Sequence, residues 1–221
     1  MAEQLPSIAG LVLAAGQSRR FGGQDKRFAD LGGKPLIRHA LEAADQAGLA
    51  PLFIVVDPES LGPVSLAHEA LSGLPVKAIA NPAPEQGLGS SLAIGARSIE
   101  AACQGPGAGA GLAILLGDMP GVSANLITRL LKVFRQQGGQ KIVTPVMGGR
   151  RGHPVIWPWA DLGALSSLSG DTGAKALIQA AGDRLASVDV DDPGCLLDVD
   201  RPQDLAALED AGLKSGMGAG G

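Results

Sequence analysis

The chain has 221 residues, of which 45% are hydrophobic and 3% aromatic, and it carries a formal net charge of -4 at pH 7. This acidic balance provides no general phosphate-binding face, so it argues against a nucleic-acid binder. The sequence shows neither a signal-peptide pattern nor an apolar run of about 18 residues, so we expect a cytoplasmic protein that does not enter a membrane.

Short apolar runs alternate with segments of helical periodicity along the chain. The runs predicted as strands are 8–15, 51–56, 76–79, 112–116, 142–146 and 185–190. The segments predicted as helices are 35–48, 65–71, 89–103, 124–136, 174–181 and 203–210, and residues 148–157 are predicted as the turn and returning arm of a hairpin. This alternation predicts an α/β fold, with a mostly parallel mixed sheet between layers of helices. We expect one domain over residues 1–213 and a disordered Gly-rich tail at 214–221.

The loop after the first predicted strand combines glycines with basic side chains. The residues of this loop that could bind an anion are Gly16, Ser18, Arg19, Arg20, Gly22 and Lys26. A triphosphate needs many N–H donors and fixed positive charge, and this loop can supply both. The spacing fits neither GxGxxG nor GxxxxGK[ST], and the alternative is an ordinary Gly-rich surface loop with solvated basic residues.

Carboxylates follow later predicted strands. Asp118 comes directly after the strand at 112–116, and Asp198 and Asp200 face the same side if their segment is extended. Magnesium prefers a few carboxylates together with substrate phosphates, so these residues are candidate ligands. The alternatives are a turn aspartate and a solvated acidic turn. Since ligands bind at the carboxyl ends of parallel strands, the loops at 14–26 and 117–120 are expected at one edge of the sheet.

Three weaker candidates remain. Asn81, Gly87, Ser90 and Ser91 could read a nucleobase, or form an ordinary loop and helix cap. His153 is a lone histidine, a residue type that is more often structural than catalytic. The segment 170–175, with Asp171 and Lys175, could bind an anion where a helix begins, or simply cap that helix.

Six blocks, in order, resemble the MocA/MobA-like family of NTP transferases. Residues 13–22 resemble LAAGxSxRMG, 81–95 the second family block, 116–120 LGDMP, 152–155 GHPV, 170–175 GDxGAR and 198–205 DIDTPEDL. The resemblance implies a GT-A-like, three-layer α/β/α fold of the nucleotide-diphospho-sugar transferase type. It also implies Mg²⁺ as the cofactor and an NTP as the donor substrate.

The implied reaction is transfer of a nucleoside monophosphate to the phosphate of molybdopterin, with release of pyrophosphate. The implied catalytic residues are Arg20, Lys26 and Asp118. The implied nucleotide-binding residues are Leu13, Ala14, Ala15, Gly16, Ser18, Arg19, Arg20, Gly22, Lys26, Asn81, Gly87, Ser90, Ser91 and Asp118. The implied metal ligands are Asp118 and Asp200, with Asp198 as the alternative, and the implied acceptor-binding residues are His153, Asp171 and Lys175.

The branch of the family decides the donor. The opening block, GHPV and GDxGA resemble the CTP-using branch, whereas residues 22–26, GGQDK, resemble GGxDK of the GTP-using branch. The resemblance therefore favours CTP, with GTP as the alternative. Two other functions stay open: a transferase of this fold acting on a sugar phosphate or other small acceptor, and a non-catalytic chaperone that delivers the cofactor. The implied macromolecular partner is a molybdoenzyme or its maturation chaperone.

Overall fold

The structure, a computed structural model, describes residues 7–16, 25–61, 70–103, 110–170 and 173–210. The strands are β1 Ile8–Leu13, β2 Asp30–Leu31, β3 Lys34–Pro35, β4 Leu52–Val56, β5 Val76–Ala80, β6 Gly111–Leu116, β7 Ile142–Met147, β8 Arg150–Arg151, β9 Val155–Pro158 and β10 Leu185–Asp189. The helices that are described in full are α1 Leu36–Gln46, α2 Leu88–Ala102, α3 Ala124–Gln136, α4 Leu162–Ser166, α5 Lys175–Ala180 and α6 Pro202–Asp210.

One mixed sheet forms the centre of the fold, in the strand order β10-β7-β9-β6-β1-β4-β5, with β8 paired to β7. β1 runs parallel to β4 and β6, and β9 runs antiparallel to both β6 and β7. The predicted mostly parallel, mixed sheet is therefore confirmed. The carboxyl ends of β1, β4, β5 and β6 consequently lie at one edge.

Alternate residues of β1 bury themselves on opposite faces of the sheet. Ile8 and Val12 pack in a cluster with α1 and α3, whereas Leu11 and Leu13 pack in a second cluster with α2 and α4. This period of two is what a strand between two helical layers requires. The sheet thereby lies between helices on both faces, as predicted.

A third, small cluster joins distant parts of the chain. It consists of Leu31, Leu36, Val199 and Leu208, all buried. It packs the β2–β3 hairpin and the first residue of α1 against the C-terminal segment and α6. This packing brings the segment of Asp198 and Asp200 next to the turn that carries Lys26.

The predicted strands and helices lie within two residues of the observed ones wherever the structure describes them. Ser123 caps α3, accepting a hydrogen bond from Leu126 N at 3.1 Å. Of the helix predicted at 65–71, only residues 70 and 71 are described, and both are helical. The hairpin β2–β3 and the five-residue α4 were not predicted, because elements this short carry no readable periodicity.

The predicted tail at 214–221 lies outside the described residues. Among the helices that are described, none is long and apolar enough to span a bilayer.

Candidate active site

The ends of β1 and β6 form the floor of the site. Leu13 lies beside Leu116 in register, and Gly117 N donates to Leu13 O at 2.9 Å. A Cβ on Gly117 would lie 3.0 Å from Ala14 Cβ, so a glycine suits this close approach of the two loops. The loops open into a cavity of about 470 Å³ lined by Leu13, Ala14, Ala15, Gly16, Lys26, Arg27, Pro84, Glu85, Gly87, Leu88, Ser91, Leu116, Gly117 and Asp118.

Lys26 connects two carboxylates from distant parts of the chain. Its Nζ donates to Asp118 Oδ2 at 2.7 Å, to Asp200 Oδ1 at 3.2 Å and to Val199 O at 3.0 Å. Burial alone lowers the pKa of the Lys26 ammonium, but the charges and hydrogen bonds of Asp118 and Asp200 outweigh burial and raise it above its ordinary value. Lys26 is therefore a fixed positive charge on the wall of the cavity.

The same oxygens suit a divalent cation. Asp118 and Asp200 present carboxylate oxygens that already surround one cation, the Lys26 ammonium. Hard divalent cations take such oxygen ligands. Within the described part of the chain, no group of three or more His, Cys, Asp or Glu side chains could hold a metal by itself. A cation held here by two carboxylates would therefore need further oxygens, such as those of phosphates.

A buried arginine network, which the sequence did not predict, lies beside the end of β1. Arg27 Nε donates to Asp25 Oδ1 at 2.7 Å, and the guanidinium also contacts Ala14 O and the carboxylate of Asp57. Burial alone raises the pKa of Asp57, but the guanidinium of Arg27 outweighs it and lowers that pKa below its ordinary value. The network ties the end of β1 to the end of β4 and to the turn of Lys26.

One sequence signal could have found this network. Asp57 is the first residue after β4, and Asp118 is the second residue after β6. Both carboxylates therefore lie at the carboxyl edge of the sheet. The burial of Arg27 leaves no such signal, because its partners come from three separate segments.

The start of α2 forms another wall of the cavity. Ser91 lines the cavity and accepts a hydrogen bond from Asn81 Nδ2 at 2.9 Å. Asn81 itself is 0% exposed, and its Oδ1 accepts from Ala83 N at 3.0 Å. Asn81 therefore lies behind the cavity and orients Ser91, while Ser90 lies on α2 outside the lining.

A second cavity, of about 530 Å³, adjoins the first, and the two share Leu13, Leu88 and Leu116. Its basic residues are Arg150, Arg151 and Lys175, and its larger apolar residues include Leu92, Ile114, Trp157 and Ile178. Arg150 and Arg151 form the short strand β8, whose side chains are exposed. A cationic rim over an apolar wall suits a ligand with an anionic group on an apolar body.

His153 lines the second cavity near the carboxylates of the first. Its Nδ1 is buried and has no hydrogen-bond partner among the described residues. Burial lowers the pKa of His153, and the nearby charges of Asp118 and Asp198 only partly oppose this effect. His153 is therefore a neutral imidazole at pH 7 in the lining of the second cavity.

The lowered pKa of His153 predicts a loss of stability in weak acid. Below about pH 6.5 the unfolded chain protonates this histidine more readily than the folded chain does. The free energy of unfolding should therefore fall as pH falls from about 6.5 toward the lower pKa of folded His153. Urea unfolding between about pH 7 and 5 measures this slope, which should flatten in His153→Asn. An equal slope in both proteins would contradict the prediction.

The structure brings most of the described candidates into two groups. Leu13, Ala14, Ala15, Gly16, Lys26, Gly87, Ser91 and Asp118 line the first cavity, and His153 and Lys175 line the second. Asp200 contacts Lys26, and Asp198, which precedes the buried Val199 in the chain, is exposed. Ser18, Arg19, Arg20, Gly22 and Asp171 lie outside the described residues.

One family model and several known proteins match this chain over most of its length. The model of the MobA-like NTP transferase domain matches residues 10–187. A molybdenum cofactor guanylyltransferase from Cereibacter sphaeroides is 32% identical over 205 residues, which cover 91% of this chain and 95% of that protein. Nicotine blue oxidoreductase from Paenarthrobacter nicotinovorans is 28% identical over 213 residues, 92% of this chain and 97% of that protein.

One relative is much longer than this chain. The bifunctional enzyme IspD/IspF from Novosphingobium aromaticivorans is 31% identical over 145 residues, which cover 64% of this chain. The matched region spans only 34% of that enzyme, about a third of its length.

Solved structures share the fold. A nucleotidyl transferase from Methanothermobacter thermautotroptrophicus has a TM-score of 0.75 at 22% identity, covering 93% of this chain and 97% of that one. The complex of Rv0371c with manganese from Mycobacterium tuberculosis H37Rv has a TM-score of 0.68 at 25% identity, covering 93% and 99%. These likenesses confirm the GT-A-like α/β fold that the sequence blocks implied.

Proposed function

This chain belongs to the MobA-like NTP transferase family and is a nucleotidyltransferase, and we propose that it transfers a nucleoside monophosphate from an NTP to the phosphate of a molybdopterin-type acceptor. One observation carries the proposal. A cavity whose wall bears Lys26 and Asp118 adjoins a second cavity that has a basic rim and an apolar wall, and the two share three lining residues. The first would hold the nucleotide, and the second would hold the acceptor.

The chemical step is an exchange of phosphorus–oxygen bonds. An oxygen of the acceptor phosphate forms a bond to the α-phosphorus of the NTP, and the bond from that phosphorus to the β-bridging oxygen breaks. Pyrophosphate leaves with that electron pair. The acceptor phosphate is already ionised, so the step requires no general base. Catalysis then consists of positioning the two phosphates and neutralising their charge.

Lys26 would supply positive charge to the triphosphate from the wall of the cavity. Its ammonium is held by Asp118 and Asp200, so it reaches the cavity in a defined position. Arg20 would add a second cation to the triphosphate.

Nucleotidyltransferases of this family use a divalent metal, and Mg²⁺ is the ion that we propose here. Asp118 and Asp200 would hold it, since their oxygens already converge on one cation. Asp198 is the alternative ligand on the same segment. When bound, the metal supplies positive charge to the reacting phosphate and to the leaving pyrophosphate.

The second cavity supports a phosphate-bearing acceptor with an apolar body. Lys175 lines it, and Arg150 and Arg151 add two cations at its edge. His153 offers a neutral imidazole on the side nearest Asp118 and Asp198. We assign His153, Lys175 and Asp171 to acceptor binding.

Two observations favour different donors. The opening block and the blocks at 152–155 and 170–175 resemble the CTP-using branch. The relative from Cereibacter sphaeroides, which matches over nearly its whole length, is a molybdenum cofactor guanylyltransferase. A relative from Haloferax mediterranei, 31% identical over 182 residues, is named a probable molybdenum cofactor guanylyltransferase. CTP and GTP are therefore the two candidate donors that the assay must compare.

A pyrophosphate-release assay with each of the four NTPs, Mg²⁺ and molybdopterin tests the proposal. We expect pyrophosphate and a molybdopterin dinucleotide with CTP or GTP, and little of either when the acceptor is omitted. Release with a sugar phosphate but not with molybdopterin would assign a different acceptor. Nucleotide binding without any release would indicate a delivery chaperone and would refute the proposal.

A further inference from the structure

Leu88 is an apolar side chain left exposed between the two cavities. It is 44% exposed, whereas most large hydrophobic side chains of the described residues are buried. It lines both cavities, together with Leu13 and Leu116. We call these three residues the junction leucines. An exposed leucine is ordinary on a protein surface, but this one lies at the boundary that donor and acceptor must share.

The backbone around Leu88 fixes its position. Gly87 has a φ of 92°, a conformation that favours glycine, and Gly89 N donates to Gly170 O at 2.8 Å. A Cβ on Gly89 would lie only 2.6 Å from Gly170 O, so the turn and the loop before α5 are in close contact. A Cβ on Gly173 would lie 3.3 Å from Leu88 Cδ2. The loop on the acceptor side therefore packs directly against Leu88.

The junction leucines have a consequence for competing reactions. If the acceptor occupies one cavity and the NTP the other, the α-phosphorus lies where the cavities meet. An attacking water there needs two or more hydrogen-bond partners to be held in place. Leucine side chains offer none, whereas the acceptor phosphate is held by the cations of its own cavity.

We propose that Leu88 is a specificity-determining residue that keeps water from the α-phosphorus and so favours the acceptor phosphate as the attacking group. This inference rests on the proposed nucleotidyl transfer. In the reaction that it suppresses, a water oxygen bonds to the α-phosphorus while the bond to pyrophosphate breaks. The products are NMP and pyrophosphate, and the proton from the water goes to the solvent.

The test compares Leu88→Ser with Leu61→Ser, a control at another exposed leucine, which is 40% exposed and does not line either cavity. NMP and dinucleotide product are separated by chromatography, with and without acceptor. In Leu88→Ser, acceptor-independent NMP formation should rise and the ratio of transfer to hydrolysis should fall, each by about tenfold. Leu61→Ser should match the wild type, and Leu88→Met should restore the wild-type ratio.

The possible results are distinguishable. An unchanged ratio in Leu88→Ser, or an equal loss of transfer and hydrolysis, overturns the inference and leaves nucleotidyl transfer standing. A wild-type protein that forms neither dinucleotide nor NMP from any NTP overturns the proposed function itself. Leu88→Ala is a second truncating variant, and it introduces no polar group. Hydrolysis should also rise in it, because the junction is opened to water.

Discussion

Replacing Lys26 with methionine is expected to lower turnover by more than about tenfold while the fold stays intact. Methionine keeps much of the length of the side chain and removes its charge. The ammonium is held by Asp118 at 2.7 Å and by Asp200 at 3.2 Å, so the substitution removes a positive charge whose position on the cavity wall is defined. The measurement is the steady-state rate of pyrophosphate release, with kcat and KM for the NTP determined separately.

Lys132→Met is the matched control, because Lys132 is exposed on α3, outside the lining of both cavities. Its turnover should equal that of the wild type. Near-normal turnover in Lys26→Met would remove Lys26 from the mechanism.

Metal binding by Lys26→Met provides a second test of the role of Lys26. The Lys26 ammonium and a divalent cation would share the oxygens of Asp118 and Asp200, and two cations in one site repel each other. Mn²⁺ should therefore bind nucleotide-free Lys26→Met at least as tightly as it binds the wild type, by electron paramagnetic resonance. Weaker binding would show that Lys26 organises the carboxylates rather than competing with the metal.

The main elements of the fold could be predicted because each carries a recognisable hydrophobic pattern. β1 and β6 are continuous buried runs, and α3 is an amphipathic stretch with a capping serine before it. Each of these three elements is followed by a turn that the sequence marks with glycine. The edge of the sheet where the loops meet follows from the parallel direction of β1 and β6.

The contact between Lys26 and Asp200 could not be predicted in the same way. The two residues are 174 positions apart, and their approach depends on the packing of Leu31 and Leu36 against Val199. A hairpin of two residues in each strand has no sequence period of its own. The family resemblance suggested the two residues for one site, but their direct contact required the tertiary structure.

The burial of the Arg27 charge could not be predicted from the sequence either. In the sequence Arg27 belongs to a basic stretch that suggests an anionic ligand, with a solvated surface loop as the alternative, yet it is 7% exposed in the structure. Its burial is tolerated because Asp25 and Asp57 both pair with it. Only the ends of β1 and β4, brought together by the sheet, reveal that pairing.

Replacing Asp118 with asparagine is expected to cause the larger loss of the two, about a hundredfold or more in kcat. Asparagine keeps the shape of the side chain and removes its charge. The change takes away the partner that Lys26 contacts at 2.7 Å and one of the two carboxylates proposed for the metal. One substitution therefore weakens both sources of positive charge at the reacting phosphate. The measurement is kcat as a function of Mg²⁺ and Mn²⁺ concentration.

The variants Asp200→Asn and Asp198→Asn complete that experiment, because each neutralises one of the two carboxylates of the same segment. The Asp200 side chain is 49% exposed, compared with 27% for Asp118, so solvent screens its charge more and Asp200→Asn should lose less activity than Asp118→Asn. If Asp200 rather than Asp198 is the second ligand, only Asp200→Asn should raise the metal concentration needed for half-maximal activity. The reverse result would assign Asp198. More than a tenth of wild-type kcat in Asp118→Asn would contradict the role of Asp118, since a carboxylate that neither holds the metal nor orders Lys26 could be neutralised at little cost.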